Sequence, residues 1–319
     1  MRITPGGMER LPGHPMRFDQ AEGLRRLLVR KQPQVVAVVG GKPGLGCTST
    51  TINLAAALAH SGKDVLVLDE NHGPHALFER MKLASRFDLL DVAQGRCAPG
   101  AAILDACGFS VASAARVLSA SATLQPDERQ RLENALTEIS READVMLVDA
   151  AMPGRQSGGS KMQQAAISSS LMSGATLLVV ADATVGGITE SYALIKRLAL
   201  ENARVQFDII VNKVASEQAA MTVFSNMAAV ARSNLAVHLE YLGYIPSDEK
   251  LKRAAQLGRT VIDAFPDAAS ARSCHALSQN LLRLPVRMDE SEGGVDAVIQ
   301  NLMRQVGISG RGAVVQKAA

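Results

Sequence analysis

The 319-residue chain carries 34 Lys and Arg against 31 Asp and Glu, a net charge of +3 with no local basic stripe, which argues against a nucleic-acid partner. Aromatic residues make up 3% and Trp is absent, so the stacking platforms of a single-strand binder are missing, while 47% hydrophobic content can bury one large domain. The four cysteines, Cys47, Cys97, Cys107 and Cys274, have no CxxC spacing, and neither His72 with His75 nor Cys274 with His275 has the companion ligands of a zinc site.

Residues 1–17 contain three Pro and three Gly and read as a mobile arm. Asp19 then stands as an N-cap before Ala21, Leu24, Leu27 and Leu28, which recur at helical spacing until Pro33 stops the helix. Apolar runs rich in β-branched residues predict strands at Val35–Val39, Val65–Leu68, Phe109–Ala112, Val145–Val148, Thr176–Val180, Phe207–Val211 and Leu239–Tyr244. Between most of them, periodic segments predict helices at Thr48–His60, Pro126–Arg141, Lys161–Met172, Ile188–Leu200 and Glu217–Arg232. Continuous apolar strands alternating with helices mean a doubly wound α/β domain with a mostly parallel sheet, whose ligands sit beyond the carboxyl ends of the strands.

After Val286 the acidic, Gly-containing stretch RMDESEGGVD reads as a linker. It leads to Val295, Val298, Ile299, Leu302, Met303 and Val306, a narrow apolar stripe on a C-terminal amphipathic helix whose only cation is Arg304. Docking onto the chain's own domain, onto a partner or onto lipid all remain open. The expected organisation is an arm and helix over residues 1–32, a nucleotide-binding domain over 33–285, and a linker with tail over 286–319. No apolar run approaches the ~18 residues of a membrane span, so the chain is expected to be soluble or at most to lie on a surface, and cysteines without disulfide spacing make the reduced cytoplasm the default expectation.

Three strand ends carry chemistry. The segment VVAVVGGKPGLGCTSTTINLAAALA, Val35 to Ala59, satisfies the phosphate-loop pattern GxxxxGK[ST] at Gly41, Gly46 and Thr48, but Cys47 stands where the lysine belongs. The second strand ends in Asp69, Glu70 and Asn71. The run VMLV ends in Asp149, the pattern of an aspartate that holds Mg²⁺ in nucleotide hydrolases.

With DQAEGLRRL at Asp19–Leu27, VNK at Val211–Lys213 and YLGYIPSDEKLKRA at Tyr241–Ala254, these motifs resemble the deviant Walker A ATPases of the MinD/ParA class. Within that class they resemble the flagellar-number regulators of the FlhG (FleN) group, over most of residues 19–284. The resemblance implies ATP or ADP sandwiched between two protomers, with Lys42 as the signature lysine reaching the partner's phosphates. It places the nucleotide on Gly41, Lys42, Gly44, Leu45, Gly46, Cys47, Thr48 and Ser49, with adenine contacts from Asn212, Pro246 and Ser247. Mg²⁺ falls to Thr48, Asp69 and Asp149, and the switch pair to Asp69 and Asn71. Taken by itself, Asn212 also reads as a strand-end cap and Lys42 as a solvated loop lysine.

The resemblance further implies that Asp19, Gln20, Ala21, Leu24 and Arg25 engage a signal-recognition-type GTPase, FlhF, and stimulate it. A flagellar transcription regulator or a switch-ring protein are further partners, and the tail helix could bring the chain to the inner membrane or the cell pole. A pseudo-ATPase scaffold, a ParA-like partition ATPase and a MinD-like regulator of cellulose synthesis are the alternatives; the DQA segment argues against the last two.

The departures bear on chemistry. Pro43 replaces a usual glycine and removes one N–H from the loop. Asn71 stands where an aspartate would position the attacking water, and an amide cannot act as a base. A lysine ammonium about 4 Å from a phosphate oxygen contributes ~4 kcal/mol at an effective dielectric near 20, roughly three decades in binding or rate. Cys47 forgoes that, and at a helix N-terminus its thiol is expected to shift toward a thiolate that repels phosphate. Weakened binding and poor hydrolysis follow.

Overall fold

The computed structural model describes residues 33–73, 76–120, 123–151 and 175–284. The expected segments at Asp19–Leu28, Lys161–Met172 and Val295–Val306, and His75 with them, lie outside these residues.

In chain order the elements are β1 (Gln34–Val39), α1 (Cys47–His60), β2 (Val65–Asp69), α2 (Leu77–Arg80), α3 (Leu89–Ala93), a 3-10 turn (Pro99–Ala102), β3 (Ile103–Ala106) and β4 (Phe109–Ser113). There follow α4 (Ala115–Ala120), α5 (Pro126–Ser140), β5 (Val145–Asp149), β6 (Thr176–Asp182), α6 (Val185–Asn202), β7 (Gln206–Val214) and α7 (Glu217–Leu235). The chain continues through β8 (His238–Pro246), α8 (Glu249–Leu257), α9 (Val261–Ala264) and α10 (Ala269–Arg283).

The described strands form one sheet in the order β3-β4-β2-β5-β1-β6-β7-β8. Every pairing is parallel except β3 with β4. The inner strands are buried along their length because helices cover both faces, which is why they read as unbroken apolar runs. Successive side chains still alternate between the faces. Val35, Ala37 and Val39 pack with residues of α5, α6 and α7, among them Leu132, Ile195 and Met227. Val36 and Val38 pack with α1 and α10, among them Leu54, Cys274 and Leu277.

The expected strands and helices within the described residues are present, with ends shifted by a few residues. α6 starts at Val185 rather than Ile188 because the Thr184 hydroxyl accepts the Gly187 N–H at 3.0 Å and caps it. Several features went unexpected, among them the short helices α2, α3 and α4 and the 3-10 turn. β3 is a four-residue edge strand, ILDA, joined to β4 by Cys107 (φ 57°) and Gly108 (φ 87°). Positive φ at both residues makes a primed hairpin turn, but Cys-Gly lacks the Asn-Gly or Asp-Gly letters that announce one. The closing helices α8 to α10 went unread as well; α10 buries Ala271, Cys274, Leu277 and Leu281 on one side.

The carboxyl ends line up along one rim. Asp69 is the register partner of Asp149, Asp149 also pairs with Val38 just before the glycine loop, and Asp182 pairs with Asn212.

Candidate functional site

The loop from Gly40 to Gly46 joins β1 to α1, and its glycines are there for space and backbone conformation. Gly44 (φ 84°) and Gly46 (φ 97°) occupy the left-handed region. A Cβ on Gly46 would also run into the amide of Asn212, and one on Gly41 into the backbone of α6 at Glu190. The loop is therefore pressed between β7 and α6. Beyond it α1 opens with no acidic residue in its own first turn and no side-chain cap, so its N-terminal N–H groups and positive dipole end face the rim.

Cys47 is the first residue of α1, and its Sγ lies 2.7 Å from where a Cβ of Gly40 would stand. It packs with the core under the loop. Burial pushes its thiol up to about 12, and the Asp149 carboxylate adds to the rise. This corrects the expectation of a thiolate: desolvation outweighs the helix terminus, so at neutral pH the side chain is a neutral thiol that neither attracts nor repels phosphate.

Asp149 is fully buried at the end of β5. The Thr51 hydroxyl donates to its Oδ1 at 3.4 Å, while Oδ2 has no hydrogen-bond partner among the described residues. Burial and then the charge of Asp69 raise this carboxyl to about 7, with the hydroxyls of Thr48 and Thr51 offsetting part of the effect. A buried carboxylate oxygen without a donor, flanked by two hydroxyls, suits a hard cation. Among the described residues no three His, Cys, Asp or Glu converge on a point that could hold a metal, so such a cation would take its other ligands from hydroxyls, water or phosphate.

Asp69 is differently employed. Its Oδ1 accepts the Asn71 N–H at 3.0 Å and its Oδ2 the Leu77 N–H at 2.9 Å, so the carboxylate shapes the turn between β2 and α2; burial raises its pKa. The Asn71 amide donates to the Asp149 carbonyl at 2.9 Å and to Asp69 Oδ1 at 3.4 Å, bridging the tips of β2 and β5. Glu70, also buried, accepts the Ala151 N–H at 3.0 Å.

On the other side of the loop, Lys42 leans on α6, its ammonium 3.5 Å from the Thr184 hydroxyl. That hydroxyl in turn bonds Asp182 Oδ1 at 2.5 Å. Asn212 is buried; its amide donates to the Leu45 carbonyl at 2.7 Å and its Oδ1 accepts the Lys213 N–H at 2.8 Å. It therefore holds the loop as well as ending its strand. Pro246 pairs with Val214 at the end of β7, and the Ser247 N–H donates to the Val214 carbonyl at 2.9 Å, which brings both beside Asn212.

The fold thus gathers Gly41 to Ser49, Asp69, Asn71, Asp149, Asn212, Pro246 and Ser247 on one rim, and residues 36–261 match the family model of the CobQ/CobB/MinD/ParA nucleotide binding domain. The chain belongs to this family. Among relatives in it, the antiactivator FleN of Pseudomonas aeruginosa is 33% identical over 254 residues, 79% of this chain and 88% of that protein. The MinC:MinD cell division complex of Aquifex aeolicus superimposes with a TM-score of 0.57 at 21% identity, covering 78% of this chain and 95% of that one. The septum site-determining protein MinD of Pyrococcus horikoshii, solved with Mg-ADP, does so with a TM-score of 0.55 at 18% identity, over 79% and 97% of the two chains. At those identities the two structures show the MinD-type fold.

For a MinD/ParA-type domain, the sequence reading overlooked four rim residues. Thr51 sits one helical turn beyond Cys47 and so shares its face. Asp182 closes an apolar strand as Asp69 and Asp149 do, and Thr184 follows it as a cap. Lys213 closes the VNK motif quoted for the resemblance but was given no role of its own. Asp19, Gln20, Ala21, Leu24 and Arg25 lie outside the described residues. Among those described, no helix is long and apolar enough to cross a membrane.

Proposed function

We propose that this MinD/ParA-type chain is a nucleotide-dependent switch that binds ATP or ADP with Mg²⁺, hydrolyses ATP poorly and regulates flagellum number and placement. One observation carries the reading: beside an open helix N-terminus and an unpaired Asp149 oxygen, the lysine position holds a half-buried, neutral thiol. Such a cradle keeps backbone dipoles and a place for a cation but lacks the charge that stabilises phosphoryl transfer.

Loop N–H groups from Gly44 to Ser49 would bind the phosphates, Thr48 and Asp149 would hold Mg²⁺, and Asp69 would set the switch turn beside it. The ion would neutralise phosphate charge and release the proton that burial keeps on Asp149 near neutral pH. Asn212, Pro246 and Ser247 would line the adenine side. In the nucleotide-bound state two protomers would pair, Lys42 leaving Thr184 to reach across. The segment Asp19–Arg25 would stimulate an FlhF-type GTPase, and the tail helix would meet a membrane or a partner. The relative named an antiactivator supports a regulatory role.

The test is equilibrium titration with a fluorescent ATP analogue and Mg²⁺, alongside phosphate release. Saturable, Mg²⁺-dependent binding with little turnover is expected. Brisk phosphate release by the unmodified chain as a monomer would refute the impaired site. No binding at millimolar nucleotide would favour the second reading, a scaffold without nucleotide control, to which the occupied Asn212 amide points.

A further inference from the structure

We propose that Lys213 is a nucleotide-binding residue: from the end of β7 its ammonium clasps the phosphate loop at Gly44 and lends that loop, within one chain, a cation that Cys47 does not provide. The inference rests on the nucleotide-binding reading above and adds a residue to it.

Lys213 has φ 57°, a left-handed conformation unfavourable for a residue with a Cβ, and it sits where the register of β7 against β8 shifts between Asn212 and Val214. Such irregularities re-aim side chains. Here the bend sends the lysine across to the loop, where its Nζ donates to the Gly44 carbonyl while Asn212 donates to the next carbonyl, that of Leu45. Two consecutive strand-end residues thus grip two consecutive loop carbonyls more than 160 residues earlier in the chain.

The consequence is a matter of direction. A loop that cradles an anion needs its N–H groups inward, and carbonyls held outward by donors enforce that. In a loop that also lost one N–H to Pro43, the remaining donors carry more of the binding, so their orientation weighs more. The ammonium has donors to spare after serving Gly44. Its charge reaches the position of Cys47, whose thiol it draws downward against the stronger effect of burial.

The experiment compares the full chain with Lys213→Met, which keeps the stem and removes the charge, and with Lys213→Arg. A fluorescent ADP analogue with Mg²⁺ gives the dissociation constant, hydrogen exchange of the Leu45–Thr48 amides without nucleotide reports the clasp, and the melting temperature reports folding. Expected are a roughly tenfold to thirtyfold loss of affinity and faster amide exchange in Lys213→Met, with Lys213→Arg within a few-fold of the parent. If Lys213→Met fails to fold, Lys213→Gln takes its place under the same criteria. Unchanged affinity in a folded charge-neutral variant overturns the binding role, and unchanged exchange overturns the clasp. No saturable binding by the unmodified chain would remove the nucleotide reading and this role together, an outcome distinct from equal binding by parent and variant.

Discussion

Restoring the lysine is the sharpest perturbation of this site. In Cys47→Lys, an ammonium about 4 Å from a phosphate oxygen gains ~4 kcal/mol at an effective dielectric near 20. Two features of the structure reduce that. The Cys47 side chain packs so close to Gly40 that even a Cβ there would clash with it, so the lysine stem must leave that slot and travel along α1 toward the rim. The acidic neighbours Asp149, Asp69 and Glu70 also attract the ammonium before any nucleotide arrives, and that interaction competes with phosphate. A net gain of about 1.5–3 kcal/mol remains, a roughly ten- to hundredfold tighter Mg-ATP complex. Fluorescent-nucleotide titration, with Cys47→Ala as the control for lost volume, reads it directly. Turnover should stay within a few-fold of the parent, because the Asn71 amide remains bonded to the Asp149 carbonyl and no base has been added. Adding Asn71→Asp provides the carboxylate but replaces that donor by an acceptor facing a carbonyl, at about 1–3 kcal/mol in stability. An unchanged dissociation constant in folded Cys47→Lys would show that position 47 does not face the phosphates. Family-like hydrolysis from the single change would refute the role of Asn71.

Three other outcomes follow from the same geometry. Because Asp149 is raised from 3.8 to about 7 in the folded chain, the native state binds more protons than the unfolded one between those values. Stability without nucleotide should therefore fall as pH rises through that window, by up to about 4 kcal/mol from this group, and Asp149→Asn should flatten the curve in urea melts at several pH values. Gly46→Ala should cost about 2–4 kcal/mol, since its φ of 97° and the Asn212 amide both oppose a Cβ; a urea midpoint equal to the parent's would contradict that packing. Deleting residues 1–30 should leave the melting temperature nearly unchanged while abolishing stimulation of an FlhF-type GTPase; full stimulation by the truncated chain would move that activity to another surface.

The local letters of the chain were enough for the parallel sheet and for the location of the site. Strands buried on both faces must be apolar throughout, so β1, β2, β5, β6 and β7 declare themselves, and aspartates closing such runs mark the rim. Positions that need positive φ or a bare backbone favour glycine, so Gly41, Gly44 and Gly46 mark the loop, although Cys107 and Lys213 take positive φ where the fold requires it. What tertiary structure decided is everything that depends on burial or on pairs distant in sequence. A cysteine at a helix N-terminus looks acidic until the core closes over it and desolvation reverses the sign. Asn71 reads as a lost base, yet in the fold it is also the strut between two strand tips. Asn212 and Lys213 read as the end of a strand, and only the approach of β7 to a loop so far back in the chain makes them its clasp. Periodicity and propensity act over a few residues, whereas solvation and hydrogen-bond partners are set by whatever the folded chain brings alongside.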